Sequence, residues 1–144
     1  MSSLIFMELG FPILLLDPPM VEVRGHLLPD VNMGQLQDSV FALLTCKPAR
    51  LSGSEVGFIR AYLRMRQVDF ARLLNKANHS VVSQWESRQD EPSGMDYNTE
   101  VLLRLFMATR AGMGDRLAEL VAGGLRDLQP RADGPLQVRL PSAA

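Results

Sequence analysis

The chain has 144 residues, with 15 Lys and Arg against 16 Asp and Glu, and a single cysteine, Cys46. That length holds one domain, or one small domain with an appendage. One cysteine excludes an internal disulfide framework and any multi-cysteine zinc site, so no metal or cofactor is expected and a reducing, cytoplasmic home is the simplest reading. The net charge of −1 hides an uneven spread: −4 over residues 1–46, +3 over 47–93 and 0 over 94–144.

Residues 1–48 read as a small β-hairpin and helix module. Leu4 to Leu16 is apolar but is interrupted by Glu8, Gly10 and Pro12, has no basic segment before it, and is too short to span a bilayer. It reads as strand-forming, not as a targeting segment. Phe11–Leu16 and Met20–Val23 are predicted as two strands around the turn Asp17-Pro18-Pro19. A helix follows from about Met33 to Thr45, with Leu36, Val40, Leu43 and Leu44 on one face. Lys47-Pro48 closes it.

Residues 49–111 read as a helical bundle. Ser52-Gly53-Ser54-Glu55 is a capping box: the serine hydroxyl accepts the Glu55 amide while the Glu55 carboxylate reaches back to the cap. Val56, Ile59 and Leu63 mark the buried face of the helix it opens. A second helix is predicted from about Gln67 to Asn75, burying Phe70, Ala71 and Leu74. A third runs from about His79 to Ser87, with Asn78 as N-cap. Asp90 to Gly94 is a loop. A fourth helix from about Thr99 to Arg110 buries Leu102, Leu103 and Phe106. Gly112-Met113-Gly114 then breaks the chain. Asp115 to Leu128 reads as a C-terminal helix, within residues 112–129, with Leu117, Leu120, Val121 and Leu128 sharing a face. Residues 130–144 read as a poorly ordered tail with a brief extended piece at Leu136 to Leu140.

The most informative stretch is Gln67-Val68-Asp69-Phe70-Ala71-Arg72-Leu73-Leu74, a short polar break, and then Val81-Val82-Ser83-Gln84-Trp85-Glu86. It resembles the helix-turn-helix of the phage-repressor-like XRE/Cro-type family. The resemblance implies a mainly α fold: a helix-turn-helix bundle preceded here by the small hairpin and helix module. It also implies double-stranded DNA as the partner, with the third helix in the major groove. Phe70, Ala71, Leu74, Val82 and Trp85 are then the apolar lock between the two helices. His79, Ser80, Ser83 and Gln84 form a polar row on the opposite face. In the resembled family that row meets base edges, where Gln pairs with adenine and Ser is a less selective donor and acceptor. On the residues alone, the row is equally a solvated helix face.

The resemblance makes Gln67 a contact to backbone phosphate, and Arg66, Asn78 and Arg88 flank the same surface as further phosphate candidates. Arg64, Arg72 and Lys76 are weaker ones. It also makes Arg60, seven positions before Gln67, the partner of Glu86 in a structural ion pair; the bland alternative is two separate surface charges. Two features depart from the family pattern. The spacing from Ala71 to Trp85 is one residue longer than usual, with no glycine in Asn75-Lys76-Ala77, and Arg88 stands where a glycine is often found.

The opening Leu51-Ser52-Gly53-Ser54-Glu55-Val56-Gly57-Phe58-Ile59-Arg60, with Pro92-Ser93-Gly94 and Leu102-Leu103-Arg104-Leu105, is similar to MqsA/HigA-type antitoxins and related bacterial transcriptional regulators. Many of these carry an N-terminal zinc module, for which this chain lacks the cysteines. The resemblance implies a homodimeric regulator that represses its own promoter. The alternative is an antitoxin-like interaction module that neutralises a partner toxin. The dimer face is expected in the C-terminal region around Leu103, Met107, Leu120 and Val121, with the N-terminal hairpin as the other candidate.

An enzyme is not expected. The chain has only His26 and His79, and no nucleophile elbow, P-loop or dinucleotide fingerprint. Cys46 reads as a small buried apolar residue or, beside Lys47, as an activated thiol.

Overall fold

The computed structural model of the protein describes residues 3–125 and 128–140. In chain order the elements are β1 (Ser3–Phe6), β2 (Ile13–Leu16), β3 (Met20–Val23), β4 (His26–Pro29), α1 (Met33–Thr45), α2 (Gly53–Tyr62), α3 (Gln67–Leu73), α4 (Ser80–Glu86), α5 (Tyr97–Arg110), α6 (Gly114–Gly123) and β5 (Leu136–Val138). Among the described residues there are six helices and five strands in two small sheets. The expected mainly α bundle with one hairpin is therefore corrected to a mixed α/β fold.

The strands differ from expectation in partner as well as in number. Ile13–Leu16 and Met20–Val23 are strands, but they do not pair with each other across Asp17-Pro18-Pro19. β2 lies between β1, antiparallel, and β5, parallel, with Ile13 opposite both Phe6 and Leu136. β3 pairs instead with β4 through the two-residue turn Arg24-Gly25, both in the left-handed region at φ 52° and 80°. That is the conformation whose twist suits a tight hairpin. Residues 136–138, within the brief extended piece expected in the tail, form the edge strand beside β2, with Val138 buried. Residues 141–144 of the expected tail lie outside the described residues.

β2 alternates buried and half-buried residues, so Ile13 and Leu15 point at the helices. They join Leu36, Val40, Phe41 and Leu44 of α1, Val56 and Ile59 of α2, and Phe70, Leu74, Val82 and Trp85 in one core cluster. Phe11 meets the edge of Phe58 at a centroid distance of 5.7 Å, and Phe41 stacks on Tyr62 at 4.1 Å. The N-terminal residues and the helix-turn-helix are thus packed on a shared core.

Helix faces also shifted. In α1, Leu43 is exposed and Phe41 buried in its place. In α5 the buried residues are Thr99, Glu100, Leu103, Arg104, Met107 and Ala108, whereas Leu102 and Phe106 are half-buried. The apolar pattern misplaces this face because its centre is an ion pair. Arg104 and Glu100, one turn apart, are both fully buried, with Nη2 to Oε2 at 2.8 Å. Arg104 also donates to the carbonyls of Lys47 at 2.6 Å and Ala49 at 2.7 Å, and Arg50 Nε reaches Glu100 Oε1 at 2.9 Å. The segment joining α1 to α2 is thereby clamped onto α5. Burial pulls the Arg104 guanidinium below its usual pKa, and the Glu100 charge opposes that pull. A buried cation needs such partners to be tolerated at all.

α6 ends at Gly123, short of the expected Leu128, where Gly124 turns the chain at φ 63°; residues 126–127 of that prediction lie outside the described residues. Leu120 packs with Ala108 and Leu125 against α5, while Val121 is 73% exposed. Leu103, Met107 and Leu120 are consequently covered by the chain itself. Cys46 is exposed, contrary to its reading as a buried apolar residue. No helix among the described residues is long and apolar enough to cross a membrane.

Candidate nucleic-acid interface

The interface is built on α2, α3 and α4. The capping box is formed: Glu55 N donates to Ser52 Oγ at 3.2 Å and Ser52 N to Glu55 Oε1 at 2.8 Å. It fixes the start of α2, where Gly53 lies against the end of α4. A Cβ on Gly53 would collide with the Trp85 carbonyl and come within 2.7 Å of Gln89 N. No side chain fits there, so the two backbones approach as only glycine permits.

α3 ends in a pair of bonds that reverse the chain within two residues. Lys76 N donates to Ala71 O at 2.8 Å and Asn75 N to Arg72 O at 3.1 Å, with Asn75 left-handed at φ 60°. This is the Schellman arrangement, in which the residue beyond the helix takes φ > 0 and asparagine is the usual substitute for glycine. Asn75 accounts for the missing glycine of the turn. After α4 the left-handed residue is Gln89, at φ 52°, and not Arg88.

α4 starts one residue later than predicted. Asn78 Oδ1 accepts the Ser80 amide at 3.0 Å, and His79 is the last residue before the helix. Val82 and Trp85 point inward and are buried, with Phe70, Ala71 and Leu74 of α3 beneath them. Helical periodicity then sends Ser80, Ser83 and Gln84 outward together, at i, i+3 and i+4. All three are exposed, as is His79. The four candidate base-contacting residues therefore share one solvent-facing surface.

The flanking candidates are placed less uniformly. Gln67 is the first residue of α3 and half-exposed. Arg66 is exposed but folds onto its own helix: Nε reaches Asp69 Oδ2 at 2.9 Å and Nη2 reaches Oδ1 at 3.3 Å. That contact holds the Asp69 carboxyl below its usual pKa and raises the guanidinium. Asn78 is exposed and accepts the Ser80 amide on its Oδ1. Arg88 sits at the far end of α4, and its guanidinium lies over Gly94, 3.7 Å from where a Cβ would stand. Asn78 and Arg88 flank α4 on its two sides in the chain, whereas Arg66 precedes α3 and is held by Asp69.

Arg60 and Glu86 meet in a two-pronged contact, Nε to Oε2 at 2.6 Å and Nη2 to Oε1 at 3.0 Å, while Nη1 donates to Met65 O at 3.0 Å. One guanidinium thus ties α2, the α2–α3 turn and α4. The Glu86 carboxylate raises the Arg60 pKa above its ordinary value, against the lowering effect of burial. Parallel N–H···O bonds of this kind fix orientation as well as adding energy.

Sequence reasoning missed the burial of Lys47, Glu100 and Arg104 behind this surface and gave Glu55 only its capping role. Lys47 and Glu55 are both buried and meet at 2.5 Å, and Arg104 and Glu100 anchor the linker. The i, i+4 spacing of Glu100 and Arg104 signals an ion pair but not its burial. Lys47 carried no such signal, because its partner sits across a turn.

No family model matches the chain, no curated protein matches it, and no solved structure matches it.

Proposed function

We propose that the protein is a sequence-specific DNA-binding transcriptional regulator of the cytoplasm, acting as a homodimer that represses its own promoter. The observation that carries this reading is the exposed row His79, Ser80, Ser83 and Gln84 on a short helix whose inner face is locked by Val82 and Trp85. A polar row supported rigidly from behind is what base readout requires. The Arg60–Glu86 brace and the Gly53 contact supply that rigidity. Two such helices in a dimer would meet half-sites about 34 Å apart.

The test is binding to DNA from upstream of the gene, measured by fluorescence anisotropy against a scrambled duplex at two salt concentrations. Wild type is expected to prefer the upstream duplex and to weaken with salt. Gln84→Ala is expected to lose about 1–3 kcal/mol on that duplex and little on the scrambled one. Equal loss on both would remove Gln84 from base readout.

A second reading rests on the β3–β4 hairpin. Val21, Val23, Leu27 and Leu28 are all exposed, Leu27 to 67%. Apolar residues grouped on a projecting hairpin favour a protein-interaction role, such as an antitoxin-like hold on a toxin. A partner that co-purifies with wild type but not with Leu27→Ser/Leu28→Ser would support it.

A further inference from the structure

A cavity of about 570 Å³ lies on the side of α2 where the linker from α1 runs beside the C-terminal return. The two segments are zipped together: Arg50 N donates to Gln129 O at 2.8 Å and Gln129 N to Pro48 O at 2.9 Å. Phe11, Pro12, Pro48, Ala49 and Leu136 give the cavity an apolar wall. Its size falls in the range of about 300–1,000 Å³ typical of small-molecule sites, and a mostly apolar wall with a few polar groups is their usual chemistry.

The polar groups are unusual. Lys47 and Glu55 both line the cavity, and both side chains are more than nine-tenths buried. Among the described residues the Lys47 ammonium donates to Glu55 Oε1, and that oxygen also accepts the Ser52 amide. An ammonium has three donors and a carboxylate two acceptor oxygens. Lys47 keeps donor capacity beyond that bond, and Glu55 Oε2 makes no hydrogen bond among the described residues and is not sealed from solvent. A donor and an acceptor on one ion pair are complementary to a group that carries an acceptor next to a donor.

We propose that this cavity binds a small uncharged amphipathic molecule whose polar end is a carboxamide. The carbonyl would accept from Lys47 and the amide N–H would donate to Glu55, with an alkyl or aryl body against the apolar wall. Charge argues against an ionic head: Lys47, Arg50 and Arg131 around the cavity are already paired with Glu55, Glu100 and Glu91, and Asp90 and Asp133 add negative charge. A carboxylate would face Glu55, and an ammonium would face Lys47. The occupant would touch the approach to β2, the linker and β5 at once, and so would join the sheet to the first helix of the DNA-binding unit. The inference does not depend on the DNA reading.

The experiment is a titration of hexanamide into the ¹⁵N-labelled full chain, followed by amide chemical shifts, with hexanoate and hexylammonium as charged counterparts. Expected are saturable shifts within residues 47–55 and 129–137, and binding at least about tenfold tighter than for either ion. Lys47→Met is unsuitable, since it leaves Glu55 buried without its cation. Gly134→Trp serves instead: Gly134 lines the cavity, and a Cβ there meets nothing within 4 Å. This variant should melt with wild type and lose the hexanamide shifts. Absence of saturable shifts, shifts centred elsewhere, equal binding of an ion, or full binding by folded Gly134→Trp would each overturn the proposal.

Discussion

Gly53 shows how much a missing side chain can decide. The backbone carbonyl of Trp85 and the amide of Gln89 occupy the space a Cβ would need. Neither can withdraw, since both are main chain. Gly53→Ala should therefore push α4 away from α2 and cost about 1–3 kcal/mol, the usual penalty for overpacking. A thermal melt would measure it; an unchanged Tm would show that the two helices separate freely. Asp96 makes a different point. Its carboxylate caps α5, accepting from Thr99 N at 3.1 Å and Thr99 Oγ1 at 2.6 Å, and lies 3.1 Å from Lys76 Nζ. The Thr99 hydroxyl bond first, and Lys76 after it, draw its pKa from 3.8 down to about 2. A carboxyl depressed in the folded state contributes stability above its unfolded pKa, and that contribution is lost as pH falls through the folded value. Asp96→Asn keeps a good N-cap but not the charge. Wild type should exceed it in denaturant midpoint above about pH 4, and the gap should close towards pH 2. A gap independent of pH would mean that the charge is not what matters.

Helices α3 and α4 are short, seven residues each. Helices of that length do not persist alone, so their geometry comes from what holds them. The Arg60–Glu86 contact is the polar part of that hold. In a double-mutant cycle, Arg60→Ala and Glu86→Ala should show a coupling of about 1 kcal/mol, modest because both groups remain partly open to solvent. Under the proposed DNA-binding function, either variant should weaken binding to the upstream duplex without touching the exposed row. Zero coupling in the melts would reduce the pair to two independent surface charges. Much of this element was readable from sequence: the buried set Phe70, Ala71, Leu74, Val82 and Trp85 is what the helix-turn-helix resemblance implied, and Ser52 with Glu55 follows from cap chemistry. The phase of α5 was not readable, because Glu100 and Arg104 look like surface residues until the linker carbonyls that satisfy them are in place. β1 and β5 were legible only as a strand-forming run at Leu4 to Leu16 and a brief extended piece at Leu136 to Leu140; their bounds and partners were not, since strands of three or four residues carry too little pattern. The β3–β4 hairpin was missed because its turn is Arg24-Gly25, with a bulky residue at the first left-handed position.

The whole molecule has one core shared by its two halves, so the helix-turn-helix is not a detachable unit. Phe11, Ile13 and Leu15 from the sheet and Leu36, Phe41 and Leu44 from α1 pack into the same cluster as Trp85. A chain beginning at residue 49 would uncover that cluster and leave the Arg104 clamp without Lys47. Such a fragment should show no cooperative melt by circular dichroism, because a domain that small needs every apolar contact it has. A sharp transition near the full-length Tm would instead mean that the helices suffice.

The pairing of Ile13 with Leu136 also sets an order in time. A ribosome adds residues at about 5–20 per second, so β2 emerges on the order of ten seconds before the strand that completes its sheet. Through that interval β1 and β2 form only a two-stranded ribbon, which is marginal in water. The nascent chain holds Ile13 and Leu15 half-sheltered while α1 to α6 are still being made. The last-made strand then closes the structure. Newly synthesised protein would thus reach its native core late, and a cell making it quickly would need to keep that early ribbon from pairing with a neighbour's.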